Sequence, residues 1–341
     1  MARNMINSGS IDIYNTSSYE EIRLWREEEL SILPADQNKL NDVHELILQA
    51  VIERAKTSVE WARGAILAPF AFFQMGSGGR LEQSLVSDQD HGIIYWGNEE
   101  EAAYFLALGE EITRGLEIAG YPRCEGNVMS DHQLWCKSSE AWRKQVDDWI
   151  EENTWSSLRN LIIFADSRIS FGSDWLLNDL KTYVFSFMEP GSLLLKRSIE
   201  NTKHRMKGKS IIGTIYTEQY GELQGMFNFK ESVLYPVVHA ARLWSLRDNV
   251  LKASTVERLN HTAQFHSGSL EIPDWFTEAL NIRLIYADPS DTVQTVHYIQ
   301  PERLSKHHKK WIKKWMKEGE LFMRKTERVL MDERKKGREK E

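Results

Sequence analysis

The feature that most constrains the fold is residues 74–96, QMGSGGRLEQSLVSDQDHGIIYW, in which a glycine-rich turn and two aspartates lie between two short apolar runs. The runs occupy residues 70–75 and 91–96, and each is followed by a glycine. Short apolar runs bounded in this way are typical of buried strands in a mixed sheet. We therefore expect a sheet-containing domain, with the turn and the aspartates on neighbouring strands.

The chain on both sides of this stretch has helical character. Residues 17–63 carry apolar side chains at helical spacing in two runs that are separated near Pro34. Residues 99–119 return to helical spacing, residues 124–129 form a candidate further strand, and helices follow from Trp142. The sheet is thus expected to be small and surrounded by helices.

The second half shows little strand character after Asp174. Ser254 and Glu257 have the spacing of a capping box, and Pro236 suits the first turn of a helix. A late apolar seam, with lysines facing outward, indicates one helix of a bundle and consists of Ile312, Trp315, Met316, Phe322 and Met323. This half is predicted to be a helical bundle.

Together these patterns predict an α+β fold in four parts. An N-terminal helical arm covers residues 1–64, and a mixed-sheet domain covers residues 65–174. A helical bundle follows over residues 175–330, and a charged tail over residues 331–341. The length of 341 residues and the 41% of hydrophobic residues suffice for two cores of ordinary size.

The charge distribution narrows the class of partner. The formal net charge is −7, but residues 302–341 carry fifteen Lys and Arg against eight Asp and Glu, so the remaining chain is strongly acidic. An acidic body is a poor binder of nucleic acid, because phosphate contacts supply most non-specific affinity. No apolar stretch reaches the length of a signal peptide or a spanning helix. We expect a cytoplasmic protein with no membrane and no nucleic-acid partner, and two reduced thiols at Cys124 and Cys136.

Asp88 and Asp90 are the strongest candidates for chemistry. Side chains of an extended strand alternate, so these two carboxylates project from the same face. Two carboxylates a few ångströms apart repel each other unless a cation lies between them. Oxygen ligands of this kind suit Mg²⁺ or Mn²⁺, which share their other positions with water and with substrate phosphates.

The turn before the aspartates has the properties of a phosphate cradle. Gly76, Ser77 and Gly79 allow backbone amides to approach an anion, and Arg80 adds a charge suited to phosphate. Other phosphate or metal motifs do not fit. Arg80 and Leu81 stand where a Walker loop needs Lys and Ser or Thr, Leu81 replaces the third glycine of a dinucleotide fingerprint, and a calcium loop starting at Asp88 has its glycine misplaced.

The same residues carry a resemblance to a known family. The pattern Gly76-Ser77-x-Gly79-Arg80-x-Glu82-Gln83, followed by Ser87-Asp88-x-Asp90, resembles the signature of the DNA polymerase beta-like nucleotidyltransferase superfamily, in the form carried by PII-protein uridylyltransferases. Residues 60–325 are similar to nucleotidyltransferases related to that enzyme, whose helical C-terminal part is regarded as a substrate-binding domain. The further matching positions include Asp166, Arg168, Lys230, Pro236, Arg242, Glu257 and Arg258.

The resemblance implies a polymerase beta-like mixed-sheet domain and a role for each residue of the motif. Asp88 and Asp90 would bind Mg²⁺ or Mn²⁺, and the turn from Gly76 through Gly79 would hold a nucleoside triphosphate. Arg80 and Glu82 would brace the turn or touch the nucleotide. The implied activity moves UMP or AMP to a hydroxyl, with a PII-type signalling protein as acceptor.

The third carboxylate of the superfamily is not fixed by the sequence. Asp166 stands in an Asp-x-Arg pattern that resembles one in the uridylyltransferases, but an Asp–Arg pair after the apolar residues 161–165 would equally serve structure. Glu125 and Asp131 are further candidates. Two alternative functions therefore stay open, namely a nucleotide-sensing module that has lost catalysis and a nucleotidyltransferase that acts on a small molecule.

Overall fold

The computed structural model describes residues 18–66, 68–98, 101–203, 215–265, 271–288 and 290–338. The helices that form within these residues are α1 Tyr19–Ile32, α2 Gln37–Arg63, α3 Gly76–Gly79, α4 Ala102–Ile118, α5 Ser139–Glu152, α6 Trp155–Ala165, α7 Asp174–Ser186, α8 Leu193–Lys203, α9 Tyr235–Arg247, α10 Thr255–Phe265, α11 Ile272–Tyr286 and α12 Lys306–Arg338. The strands are β1 Phe70–Gln74, β2 His91–Tyr95, β3 Cys136–Ser138, β4 Arg168–Gly172, β5 Phe227–Asn228 and β6 Tyr298–Ile299.

The two helices predicted for the N-terminal region are present, and each begins at a side-chain cap. Ser18 and Glu21 form a reciprocal capping box at the start of α1. The Asp36 carboxylate accepts from two backbone amides at the start of α2, and α2 ends at Gly64, whose φ of 90° suits glycine. Helix α2 packs against α1 and α4 and covers one face of the sheet.

A four-stranded mixed sheet has the order β3-β2-β1-β4. Strand β1 is antiparallel to both β2 and β4, whereas β2 and β3 are parallel. The predicted strands at residues 70–75 and 91–96 are confirmed as β1 and β2. The strand predicted over residues 124–129 is wrong, because that segment turns at Asn127, whose φ is 52°. Its one backbone bond to β2 is the bond that the His91 amide donates to the Val128 carbonyl.

The two faces of the sheet bury different cores. Phe70 and Phe72 of β1 point toward α1, α2 and α4, whereas Ala71 and Phe73 point toward α5, α6 and α7. The second core continues without interruption into the C-terminal helices, where α9 is buried almost all round. The sheet and the bundle therefore share one hydrophobic core.

The C-terminal region is a helical bundle around α9, as predicted. Helices α8, α10 and α12 pack on α9, and Pro236 lies in its first turn. The predicted seam of α12 is buried at Ile312, Trp315 and Met323. The structure adds one feature that the sequence did not suggest, a two-residue pairing of β5 with β6.

Within the described residues, no helix has both the length and the apolar character that crossing a membrane requires.

Candidate active site

The fold brings the glycine turn and the two aspartates together through the pairing of β1 and β2. Gln74, the last residue of β1, pairs with His91, the first residue of β2. Because the strands are antiparallel, the residues after β1 lie beside the residues before β2. The Met75 amide donates to the Asp90 carbonyl over 2.7 Å, and a Cβ at Gly76 would overlap the Asp90 carboxylate. Gly76 itself has a φ of 53°, which favours glycine.

The acidic segment alternates as predicted, although it lies just before β2 rather than within it. Asp88 and Asp90 are partly exposed on one side. Gln89 and His91 are buried on the other side, where the Gln89 side chain donates to two backbone carbonyls and accepts from His91. Ligand atoms of Asp88, Asp90 and Cys124 all lie within 4.8 Å of one another. The structure thus forms one compact group from two carboxylates and a thiol.

The negative charge of the two carboxylates in this group is only partly compensated by nearby cations. Burial, followed by the negative charge of Asp88, raises the pKa of Asp90 to about 7. Burial also raises the pKa of Asp88. The pKa of the Cys124 thiol is raised to about 12 by burial and by the Asp90 charge. The thiol is therefore neutral near pH 7, and the donors that remain are carboxylate oxygens, which fit a hard divalent cation such as Mg²⁺ or Mn²⁺.

The glycine turn is a single helical turn, α3, fitted closely between its neighbours. A Cβ at Gly78 would overlap the Gln74 side chain, and a Cβ at Gly79 would overlap the Asp166 carbonyl oxygen. The Arg168 guanidinium donates to the Gly78 carbonyl over 3.2 Å and also binds Glu45 of α2. Small residues are thus required on three sides of the turn, while the Ser77 side chain remains partly exposed.

Arg80 and Glu82 lie behind the turn rather than at its open side. Arg80 is 6% exposed, and its guanidinium donates to Glu82 and to Asp166, over 2.7 Å in each case. The other Glu82 oxygen accepts from the Thr255 hydroxyl at the start of α10. Of the two roles that the resemblance left open for Arg80 and Glu82, these contacts correspond to bracing of the turn.

Asp166 lies in the same buried cluster. Its carboxylate accepts from Arg80, from Arg242 of α9 over 2.5 and 2.9 Å, and from Arg258 of α10 over 2.6 Å. Burial alone would raise the pKa of Asp166, but the three guanidinium groups hold the pKa well below its ordinary value. Both carboxylate oxygens are therefore engaged by arginines, and the structure does not bring Asp166 into the group formed by Asp88 and Asp90. Its catalytic role stays a prediction.

The other two candidates for a third acid are engaged at the surface. Glu125 accepts from the Gln294 side chain over 2.9 Å, and Asp131 pairs with Arg123. Sequence reasoning missed Cys124 as a neighbour of the acid pair, since two isolated cysteines carry no motif. The basic segment at residues 203–209, for which a contact with the triphosphate is one interpretation, lies almost entirely outside the described residues.

A mixed sheet in which a glycine turn after one strand faces two carboxylates before the next is the arrangement of a nucleotidyltransferase domain. Residues 32–156 match the family described as "Putative nucleotidyltransferase DUF294". Residues 192–329 match its companion, "Putative nucleotidyltransferase substrate binding domain". The two matches cover most of the chain, which belongs to this nucleotidyltransferase family, and membership implies a nucleotide substrate. No curated protein matches the chain.

Proposed function

We propose that this protein is a cytoplasmic, metal-dependent nucleotidyltransferase that moves UMP or AMP from a nucleoside triphosphate to a hydroxyl group. The observation that carries the proposal is the close approach of the Asp90 carboxylate to Gly76, because carboxylates beside a glycine turn are suited to hold a metal ion and a phosphate together. Burial and the negative charge of Asp88 raise the pKa of Asp90 to about 7, and a cation bound between the two carboxylates would offset both effects.

Each part of the site has a distinct task in this proposal. Asp88 and Asp90 hold Mg²⁺ or Mn²⁺, and the amides of Gly76 and Ser77, which begin a helical turn and have no intrahelical partners, receive the phosphates. The bound cation supplies charge stabilisation for the attacking and leaving oxygens. Arg80, Glu82 and Asp166 act structurally by fixing the turn.

The transfer is a substitution at the α-phosphorus of the nucleotide. The acceptor hydroxyl oxygen forms a bond to this phosphorus as the bond to the bridging oxygen of the β-phosphate breaks. Pyrophosphate leaves with the bonding electron pair, and the hydroxyl proton passes to a base in the site. The C-terminal bundle, which matches a substrate-binding family, would present the acceptor, and a PII-type signalling protein is the acceptor that we propose.

Labelled nucleotides test this proposal. The protein is incubated with Mg²⁺, a PII-type protein and UTP or ATP labelled at the α-phosphorus, and transfer of label to precipitated protein is followed. We expect transfer from one of the nucleotides and none in the Asp88→Asn, Asp90→Asn double variant. Asp148→Asn with Glu151→Gln, two exposed acids of α5, is the matched control and should retain activity. Equal labelling in the site variant would reject the assignment.

A binding-only role is the second candidate, and the nature of the third group favours it. The residue that completes the group with Asp88 and Asp90 is Cys124, a neutral thiol, rather than a carboxylate. A protein of this kind would bind a metal–nucleotide complex and report it without turnover. Calorimetry that detects metal-dependent binding, together with an absence of pyrophosphate release in the presence of acceptor, would support this candidate.

A further inference from the structure

Lys230, a matching position to which the resemblance gives no role, forms a pair with His297 in the C-terminal region. The pairing of β5 with β6 brings the two residues together, and the Phe229 amide donates to the His297 carbonyl over 2.8 Å. Lys230 begins a π-helical turn over Lys230–Leu234, and its Nζ lies 3.2 Å from Nε2 of His297. Single π-helical turns occur frequently at functional sites.

This pair lies at the rim of the acidic group. Gln294, three residues before His297, binds Glu125, and Glu125 follows Cys124 in the chain. Cys124 in turn belongs to the group that contains Asp88 and Asp90. Burial raises the pKa of both aspartates, and the positive charge of Lys230 acts in the opposite direction on both. The contact between Gln294 and Glu125 places the segment that carries His297 beside the segment that carries Cys124.

The hydrogen bond fixes the protonation of His297. An ammonium group can only donate, so Nε2 of His297 accepts and the ring proton lies on Nδ1. Burial and the Lys230 charge lower the pKa of His297, which keeps the ring neutral. Nδ1 is buried without a hydrogen-bond partner. Lys230 uses one of its three donors on His297, so the pair keeps donors for an acceptor-rich ligand.

Among the residues that the structure describes, the two arginines next to the glycine turn are already engaged by carboxylates. Arg80, the cation within the motif, is buried and paired with Glu82 and Asp166. Arg168 pairs with Glu45. A triphosphate carries several negative charges, and phosphate-binding sites ordinarily answer them with lysine or arginine. The cation that faces the phosphates must therefore come from outside the glycine turn.

We infer that Lys230 binds the triphosphate of the metal–nucleotide complex, and that His297 is a positioning residue that holds the ammonium group toward the aspartates. The nucleotide site is then composite, with the cation ligands on the sheet domain and a phosphate ligand on the helical region. This inference rests on the proposed function. It also gives a role to the β5–β6 pairing, which covers only two residues on each strand and holds Lys230 next to His297.

Binding measurements test the inference through two effects of opposite sign. Calorimetry measures the affinity for Mg²⁺ alone and, in the presence of Mg²⁺, the affinity for UMP and for a non-hydrolysable UTP analogue. The same titrations are carried out with AMP and a non-hydrolysable ATP analogue. In Lys230→Gln we expect the triphosphate affinity to fall by about tenfold, the monophosphate affinity to stay within about twofold, and the affinity for Mg²⁺ alone to rise by about threefold. Lys230→Arg should restore most of the triphosphate affinity. Lys252→Gln, at an exposed lysine, is the matched control.

His297 requires its own readout. His297→Leu removes the acceptor for Lys230 and should weaken triphosphate binding by about threefold, whereas His297→Gln keeps an acceptor and should bind like the wild type. A residue that only filled space would give equal results for the two variants.

A measurement on the wild-type protein avoids dependence on the folding of variants. Lysine acetylation, read by mass spectrometry, should decrease at Lys230 when the Mg²⁺–triphosphate analogue binds and should stay constant at Lys252. Unchanged acetylation at Lys230, or unchanged triphosphate affinity in a folded Lys230→Gln, would overturn the inference while leaving the proposed function intact. Failure of the wild type to bind either triphosphate would overturn the proposed function and this inference with it.

Discussion

The molecule holds two acidic centres that are built in opposite ways. Asp88 and Asp90 are partly exposed, lie beside each other and have raised pKa values. Asp166 is 1% exposed, accepts from three arginines and has a pKa far below the ordinary value. The first centre has an excess of negative charge and the second has an excess of positive charge.

The difference indicates that the Asp88–Asp90 pair is suited to bind a cation, whereas the carboxylate of Asp166 is already neutralised by arginines. A compensated buried carboxylate stabilises the fold, and removal of one partner leaves uncompensated charge in the interior. An uncompensated acid pair does the reverse, because its repulsion lasts until a cation or a proton binds. The two centres should therefore respond in opposite ways to loss of an acid, to local crowding and to pH.

The largest effect is expected from Asp90→Asn in the proposed transfer reaction. Loss of a cation ligand should lower the rate by on the order of 10³ to 10⁴-fold, since the cation contributes several kcal/mol of charge stabilisation. The free energy of unfolding should stay constant or rise, because the repulsion from Asp88 is removed. Pyrophosphate release and urea denaturation measure the two quantities. A variant that lost activity through unfolding would contradict the comparison.

Asp166→Asn should lower the free energy of unfolding, in contrast to Asp90→Asn. We expect a loss of about 3 to 5 kcal/mol in the free energy of unfolding, because three buried arginines lose their shared partner. Urea denaturation measures this loss. The ion pair of Lys144 with Asp148 on the surface of α5 provides the contrast, and Asp148→Asn should leave the free energy of unfolding nearly unchanged. Equal losses in the two variants would mean that the cluster is not a structural centre.

Crowding at the turn should affect the first centre alone. Gly76→Ala adds a Cβ that overlaps the Asp90 carboxylate, and we expect Mg²⁺ affinity to fall by about 2 kcal/mol, or about thirtyfold. Gly221→Ala is the matched control, because its φ is 79° and no atom lies within 4 Å of the added Cβ. Both variants should lose about 1 kcal/mol of stability through the left-handed backbone, but only Gly76→Ala should lose Mg²⁺ binding in calorimetry.

The smallest expected effect concerns pH. Asp90 has an ordinary pKa of 3.8 and a pKa of about 7 in the fold, so its contribution to stability is present below pH 3.8 and is lost as pH rises through 7. Relative to Asp90→Asn, the wild type should lose about 1 to 2 kcal/mol between pH 4 and pH 8, since solvent reduces the full shift at a partly exposed pair.

Urea denaturation of both proteins at each pH measures this difference. Asp88, Cys124 and Lys230 also face Asp90, and they are present in both proteins. The buried histidines His44 and His91, each with a pKa lowered to about 3 by burial, weaken both proteins at acid pH in the same way. Added Mg²⁺ should reduce the difference. A difference that did not depend on pH would show that Asp90 does not titrate as part of a repelling pair.

The central sheet and its turn were predictable because their signals are local. Strands β1 and β2 are buried on both faces, which produces continuous apolar runs, and an antiparallel pairing necessarily brings the end of one beside the start of the other. Strands β3 and β4 were missed. Each is a short edge strand with polar or half-buried residues, and each forms because β2 or β1 offers unpaired backbone groups.

The tertiary partners of the charged residues could not be predicted from the sequence. Arg80 follows three glycines in four residues, which suits a phosphate ligand, but it binds Asp166, a residue 86 positions later. Lys230 and His297 are 67 positions apart, and only tertiary contacts within the C-terminal region bring them together. The local sequence pattern shows which residues could bind a metal or a phosphate. Tertiary contacts determine which of these residues are already engaged by other side chains.

The arginine cluster around Asp166 has a consequence for how proteins of this architecture change over evolutionary time. On the proposed function, a single substitution at Asp88 or Asp90 would abolish the transfer and leave the fold intact, whereas one at Asp166 would destabilise the fold. Homologues that have lost the activity should therefore show substitutions at the aspartate pair first and should retain the arginines that bind Asp166. The presence of the arginine cluster in a related sequence would therefore indicate the fold, and only the presence of Asp88 and Asp90 would indicate activity.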